Sequence, residues 1–174
     1  MEKRWVIKDA DEDKVNSLQQ DLKVHPVVCK LLVQRGIYTY EAARKFFRPV
    51  LTDLYDPFLM KDMQKAIDRI NTAIANNERI LIYGDYDVDG TTSVALAYSF
   101  FYSIYKNIDY YIPDRYLEGY GISTKGIDHA KQTECSLVIA LDCGIKAVDK
   151  IAYANTLGVD FIICDHHRPG SELP

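Results

Sequence analysis

With 174 residues, 48% hydrophobic and 26% charged, the chain has the make-up of a globular protein and enough length for one good core. No apolar run approaches a bilayer span, and Met1 opens onto Glu2, Lys3 and Arg4 with no h-region behind them, so neither a membrane segment nor a signal peptide is expected. The net charge of −4 is uneven, because residues 1–79 hold 14 Lys and Arg against 12 Asp and Glu whereas residues 80–174 hold 7 against 13. The acidic second half argues against a broad electrostatic grip on nucleic acid and suits a metal cluster, since bound dications offset such charge. The four cysteines, Cys29, Cys135, Cys143 and Cys164, form no CxxC pair and mostly border apolar strands. They read as buried free thiols in a reducing compartment, which places the protein in the cytoplasm.

Residues 1–79 read as a helical region packed on the core. Lys14 to Leu22 is a short amphipathic helix. Pro26 opens a second, with Val27, Val28, Leu31 and Leu32 at helical spacing up to Gly36. Thr39 caps a third through Phe47, and Asp62 caps the longest, whose stripe is Met63, Ala66, Ile67, Ile70, Ala73 and Ile74. His25 is read as incidental, and Trp5, Tyr38, Tyr40, Phe46 and Phe47 as packing residues.

Residues 80–174 alternate strand and helix. Ile80 to Tyr83 is a short β-prone run covered on both faces, and Gly84 lets the backbone leave the sheet. Asp85 and Asp87 follow two residues apart, so in an extended segment both point to one side. Asp89-Gly90 reads as a turn, with Thr91, Thr92 or Ser93 capping a helix that becomes dense in apolar residues from Val94. Further strands are expected at Asp109–Ile112, Leu137–Leu141 and Asp160–Cys164, with helices near Lys125–Thr133 and Lys146–Leu157. This order implies an α/β fold with a parallel sheet, right-handed crossovers and helices on both faces.

Ligands of such sheets bind outside the carboxyl ends of the strands, where Asp85, Asp87, Asp142, Asp165 and His166 all fall. An Asp at one strand end is often a helix cap, but several converging carboxylates repel one another unless a cation lies between them. Carboxylates with an imidazole suit Mn²⁺ or Mg²⁺. Two such ions about 4 Å apart activate a water and stabilise the oxygens at phosphorus, so phosphoester hydrolysis is the expected reaction class. Between the second strand and the next helix runs PDRYLEGYG, in which Arg115 offers a planar donor fork for phosphate. Tyr116 or Tyr120 is a candidate base-stacking side chain, and the competing reading is a surface loop whose Arg115 pairs with Glu118.

The motifs GDYDVDG, PDRYLEGYG, LDCG and DHHRPG occur in the order found in the DHH phosphoesterase superfamily. The chain resembles most closely its RecJ family of single-stranded-DNA-specific 5′→3′ exonucleases, which the N-terminal segments LLVQRGI, EAARKFF and LYDP also resemble. The resemblance implies a Rossmann-like domain in which Asp85, Asp87, Asp142 and His166 bind two Mn²⁺ or Mg²⁺ ions, with Asp142 as the bridge. It implies that His167 faces the scissile phosphate as polariser or proton donor, that Arg115 holds a backbone phosphate, and that Asp89 and Asp165 fix the turn and orient an imidazole. Nucleoside 5′-monophosphates would be the products, single-stranded DNA the substrate, and a single-strand binding protein and a helicase the partners. Tyr83 stands where some superfamily members carry a histidine ligand, and the family's later motifs lie beyond Pro174, so the chain reads as an N-terminal portion with weak metal binding and little activity of its own. Two other functions fit the same residues: a DHH enzyme acting on pyrophosphate, oligoribonucleotides or cyclic dinucleotides, and a binding module with a degenerate site.

Overall fold

Four apolar runs pair side by side into one parallel sheet in the order β2-β1-β3-β4. The computed structural model describes residues 4–174. The strands are β1 (Arg79–Gly84), β2 (Ile108–Tyr111), β3 (Cys135–Leu141) and β4 (Asp160–Cys164). Alternation along the two central strands splits the core between the two faces. Ile80, Ile82, Leu137 and Ile139 pack with residues of α4 (Met63–Ala75) and α5 (Val88–Ile104) on one face. Leu81, Tyr83, Val138 and Ala140 pack with residues of α6 (Thr124–Gln132) and α7 (Val148–Thr156) on the other. The expected α/β fold, with a parallel sheet covered on both faces, is therefore observed.

The chain divides into two compact units, one ending at Leu59 and the other running from Met60 to Pro174. The first holds α1 (Glu12–Leu22), α2 (Pro26–Val33) and α3 (Tyr40–Phe47) around Val15, Leu18, Cys29, Leu32 and Ala43, followed by 3₁₀ turns at Leu51–Asp53 and Pro57–Leu59. The longest helix expected in residues 1–79, α4, lies in the second unit, where its Ala73 is fully buried against the sheet.

Several local expectations differ. Asp11 caps α1 by accepting from the Asp13 and Lys14 amides, so that helix starts at Glu12 rather than Lys14. His25, read as incidental to function, has a structural part, because its Nδ1 accepts the Val27 amide at 3.2 Å and caps α2. Asp62 precedes α4 in a left-handed conformation and makes no side-chain cap bond. Trp5, Tyr38, Tyr40, Phe46 and Phe47 are exposed rather than packed, and Ala43 is the residue α3 buries. Of the free cysteines, Cys164 is exposed and the other three are buried.

The largest difference concerns α5, which begins at Val88 rather than beyond the threonines. Asp87 is its N-cap and accepts the Gly90 amide at 2.9 Å, so Asp89 and Gly90 lie in its first turn. Gly90 belongs there for a tertiary reason. A Cβ on it would come within 2.4 Å of the Asp85 carbonyl oxygen, and one on Gly84 within 2.8 Å of the Gly90 carbonyl oxygen. These glycines let the helix start close directly onto the end of β1.

Candidate metal centre

Register brings the acids together. Gly84 pairs with Leu141 and Leu141 with Cys164, so three neighbouring strands end level. The next residues are Asp85, Asp142 and Asp165, on strands about 4.8 Å apart. Asp85 is fully buried, and its two carboxylate oxygens accept the Tyr86 amide at 2.6 Å and the Gly121 amide at 2.7 Å. Burial raises its pKa, the two amide donors oppose that, and the charges of Asp87 and Asp142 push it further up. Asp87 is held below the usual carboxylate range, chiefly by the Gly90 amide, with further help from the Tyr120 hydroxyl and His167. That hydroxyl donates to Asp87 Oδ2 at 3.1 Å.

Asp142 adopts a left-handed backbone with φ of 60°, uncommon outside glycine, and its amide donates to the Cys164 carbonyl at 2.8 Å. Its nearly buried side chain sets Oδ1 2.9 Å from His166 Nε2. Ligand atoms of Asp142, His166 and His167 all lie within 4.8 Å of one another. His167 is aimed by Asp165, whose Oδ1 accepts its backbone amide at 3.0 Å and lies 2.7 Å from its Nδ1. That contact is the main cause of a raised His167 pKa, aided by the charges of Asp165 and Asp142 and opposed by partial burial and Lys146. Burial would raise Asp165 in turn, but the His167 and Ile145 amides and the imidazole bring it below its usual value.

Asp85, Asp87, Asp142, His166 and His167 thus share one edge. The tight ligand group joins His167 to Asp142 and His166, while Asp85 and Asp87 are tied in through the loop that carries Tyr120 and Gly121. Asp89 stands apart, exposed on the outer side of the first turn of α5. Arg115 does not pair with Glu118. Its guanidinium lies 5.3 Å from the centroid of the Tyr86 ring, while Glu118 accepts from the Tyr111 and Ser123 hydroxyls and the Asp114 amide. Tyr116 is exposed, whereas Tyr120 is committed to Asp87 by its hydroxyl.

Two hydroxyls make contacts that the sequence did not indicate. The Tyr120 hydroxyl had no signal beyond its loop position. Tyr83 is turned away from ligand duty, since its buried hydroxyl donates to the Gly121 carbonyl at 2.9 Å and accepts the Ser123 amide at 3.1 Å. Strand alternation carries that signal, because Leu81 and Tyr83 fall on the same core face.

The donor set fits hard or borderline divalent ions. A buried carboxyl crowded by two others is the arrangement that a cation relieves.

The family model described as the DHH family, N-terminal domain, matches residues 79–174. The chain belongs to the DHH family. This DHH chain is 47% identical over 98% of its length to the single-stranded-DNA-specific exonuclease RecJ of Bacillus subtilis (strain 168), and it covers 22% of that relative. To the Salmonella typhimurium RecJ it is 32% identical, covering 29% of that relative. It therefore spans less than a third of the curated relatives it matches. A crystal structure of exonuclease RecJ bound to manganese superposes with a TM-score of 0.61 at 30% identity, over 66% of this chain and 30% of that one. RecJ in complex with Mn²⁺ from Thermus thermophilus gives 0.68 at 22% identity, over 94% of this chain and 22% of that one, and supports the fold alone.

Proposed function

We propose that the DHH chain carries the metal-binding part of a single-stranded-DNA-specific 5′→3′ exonuclease, hydrolysing phosphodiesters with two Mn²⁺ or Mg²⁺ ions and releasing nucleoside 5′-monophosphates. The observation that carries this reading is the convergence of Asp142, His166 and His167 beside Asp85 and Asp87 at one sheet edge. The names of the relatives and the manganese in a neighbouring structure support it.

Asp85, Asp87, Asp142 and His166 would hold the ions in this reading. When bound, the ions supply charge that acidifies a water and offsets negative charge at phosphorus. Asp165 fixes the ring of His167 through Nδ1, which leaves Nε2 for a phosphate oxygen. Arg115 grips a backbone phosphate, and among the described residues no carboxylate lies within ion-pair distance of it. Asp165 acts as the orienting group. Asp89, assigned a similar role on sequence, stands exposed in the first turn of α5.

A helicase and a single-strand binding protein would present and hold the free strand, in the cytoplasm. No helix among the described residues is long and apolar enough to cross a membrane.

The test is a calorimetric titration with Mn²⁺ of the parent, Asp85→Ala and Asp142→Ala, joined to hydrolysis assays of the protein on labelled single strands and on pyrophosphate. Each substitution should weaken Mn²⁺ at least about tenfold. Hydrolysis of pyrophosphate with single strands left intact would reverse the substrate assignment, and unchanged Mn²⁺ affinity in both variants would remove the metal site.

A further inference from the structure

Arg115 sits in a loop whose backbone is tightly held while its side chain has a single partner. The Tyr116 and Leu117 amides both donate to Asp114 Oδ1 at 2.9 Å, and the Asp114 amide donates to Glu118 Oε1 at 2.9 Å. Glu118 is in turn held by the Tyr111 hydroxyl and Ser123 Oγ. The backbone on either side of Arg115 is therefore fixed, yet its guanidinium makes no ion pair among the described residues. What it meets is the ring of Tyr86, 5.3 Å from the centroid and within the range of a cation–π contact.

Tyr86 itself lies between Asp85 and Asp87. Its amide donates to Asp85 Oδ1 at 2.6 Å, and its half-buried ring meets the Tyr120 ring edge-on at 5.7 Å. Tyr120 in turn donates to Asp87 and stands edge-on to His167 at 6.3 Å. One unbroken set of contacts therefore runs from the guanidinium through two aromatic rings to the acids and the imidazole.

We propose that Tyr86 is a positioning residue: its ring holds the Arg115 guanidinium at a fixed offset from the Asp85–Asp87 pair, so that a phosphate gripped by Arg115 is placed in register with the one to be cleaved. The inference rests on the reading of Arg115 as the phosphate grip. Two physical reasons favour an aromatic platform over a carboxylate here. A carboxylate would neutralise the guanidinium and compete with phosphate for its donor fork, whereas a ring face steers the cation and leaves all of its N–H groups free. The ring also costs little conformational entropy to hold, having only two side-chain torsions.

The experiment is a double-mutant cycle on the full chain with Mn²⁺ present. Binding of a short fluorescent oligothymidylate with phosphorothioate linkages is read by anisotropy for the parent, Tyr86→Phe, Tyr86→Leu, Arg115→Ala and the double variant Tyr86→Leu/Arg115→Ala. Mn²⁺ titration and thermal melting are run on each. Arg115→Ala should weaken binding about tenfold. Tyr86→Leu should weaken it about threefold to fivefold in the parent and not at all in the Arg115→Ala background, with Tyr86→Phe matching the parent and Mn²⁺ affinity unchanged throughout. An equal loss from Tyr86→Leu in both backgrounds, or a loss of Mn²⁺ affinity in that variant, overturns the positioning role while leaving the exonuclease reading intact. Parent-like binding by Arg115→Ala removes the phosphate grip itself, and the positioning role falls with it.

Discussion

Tyr83 shows how one hydroxyl can set a loop without touching the chemistry. It is 1% exposed, its ring stacks on Tyr111 at a centroid separation of 5.5 Å, and its hydroxyl joins the Gly121 carbonyl to the Ser123 amide. Burial holds its pKa far above the usual tyrosine value, against the effect of the Ser123 contact, so it stays a neutral donor. Tyr83→Phe keeps the stacking but leaves a buried amide and a carbonyl without that partner. The expected cost is about 1–3 kcal/mol in urea unfolding. The Gly121 amide that serves Asp85 is on the same loop, so Mn²⁺ affinity should fall as well. A Phe variant as stable as the parent would show that the hydroxyl bonds carry no net weight. The Cys143 thiol, 2% exposed, is pushed up to about 12 by burial and then by the surrounding Asp charges, which keeps it a protonated packing group at neutral pH.

At the level of elements, the junction of β1 with α5 packs backbone against backbone. Gly90→Ala would drive a Cβ into the Asp85 backbone, which cannot rotate away as a side chain can. A loss of about 3 kcal/mol is expected, measured by urea unfolding. Leu96→Glu, on the outer side of the same helix where Leu96 is 75% exposed, should stay within about 0.5 kcal/mol of the parent. The two substitutions separate a helix fixed at its first turn from one fixed by its apolar content. The four strands were legible in the sequence to within two residues at each end, because short β-prone runs bounded by Gly and Asp leave little choice of strand or face. The start of α5 was not legible. Asp-Val-Asp-Gly reads as a turn, and only the close approach of Gly90 to the Asp85 backbone explains why glycine serves inside a helix there. The carboxyl-edge acids were legible for the same reason as the strands. The place of Asp89 was missed along with the helix start, and the contact of Arg115 with the Tyr86 ring depends on a loop fold that no periodicity encodes.

For the molecule as a whole, the amino end of the sheet is tied by a second polar group. Arg69 on α4 donates to Glu78 Oε2 and to Asp160 Oδ2, each at 2.7 Å, and Glu78 also accepts from Ser136 on β3. These contacts join α4, β3 and β4. Glu78 is held below its usual pKa, mainly by Ser136 and then by Arg69 and Asn76 against the opposing effect of burial. A carboxylate depressed on folding contributes stability that is fully present above its unfolded value of 4.5 and is lost as pH falls through the lower folded value. Unfolding free energy should therefore decline as pH is lowered below about 4.5, and Glu78→Gln should flatten that part of the curve. An identical slope in the variant would assign the acid sensitivity elsewhere.

The left-handed backbone at Asp142 has a thermal consequence. An asparagine there accepts the same conformation more readily and lifts one negative charge from beside Asp85. In chelator, Asp142→Asn should therefore melt at a higher temperature than the parent. If Asp142 holds Mn²⁺ as proposed, the ion at a hundred times its dissociation constant should add about 2.7 kcal/mol to the parent and not to the variant, so the order of melting temperatures should reverse. Scanning calorimetry with and without the ion would reveal whether heat tolerance in this protein is set by the supply of a dication.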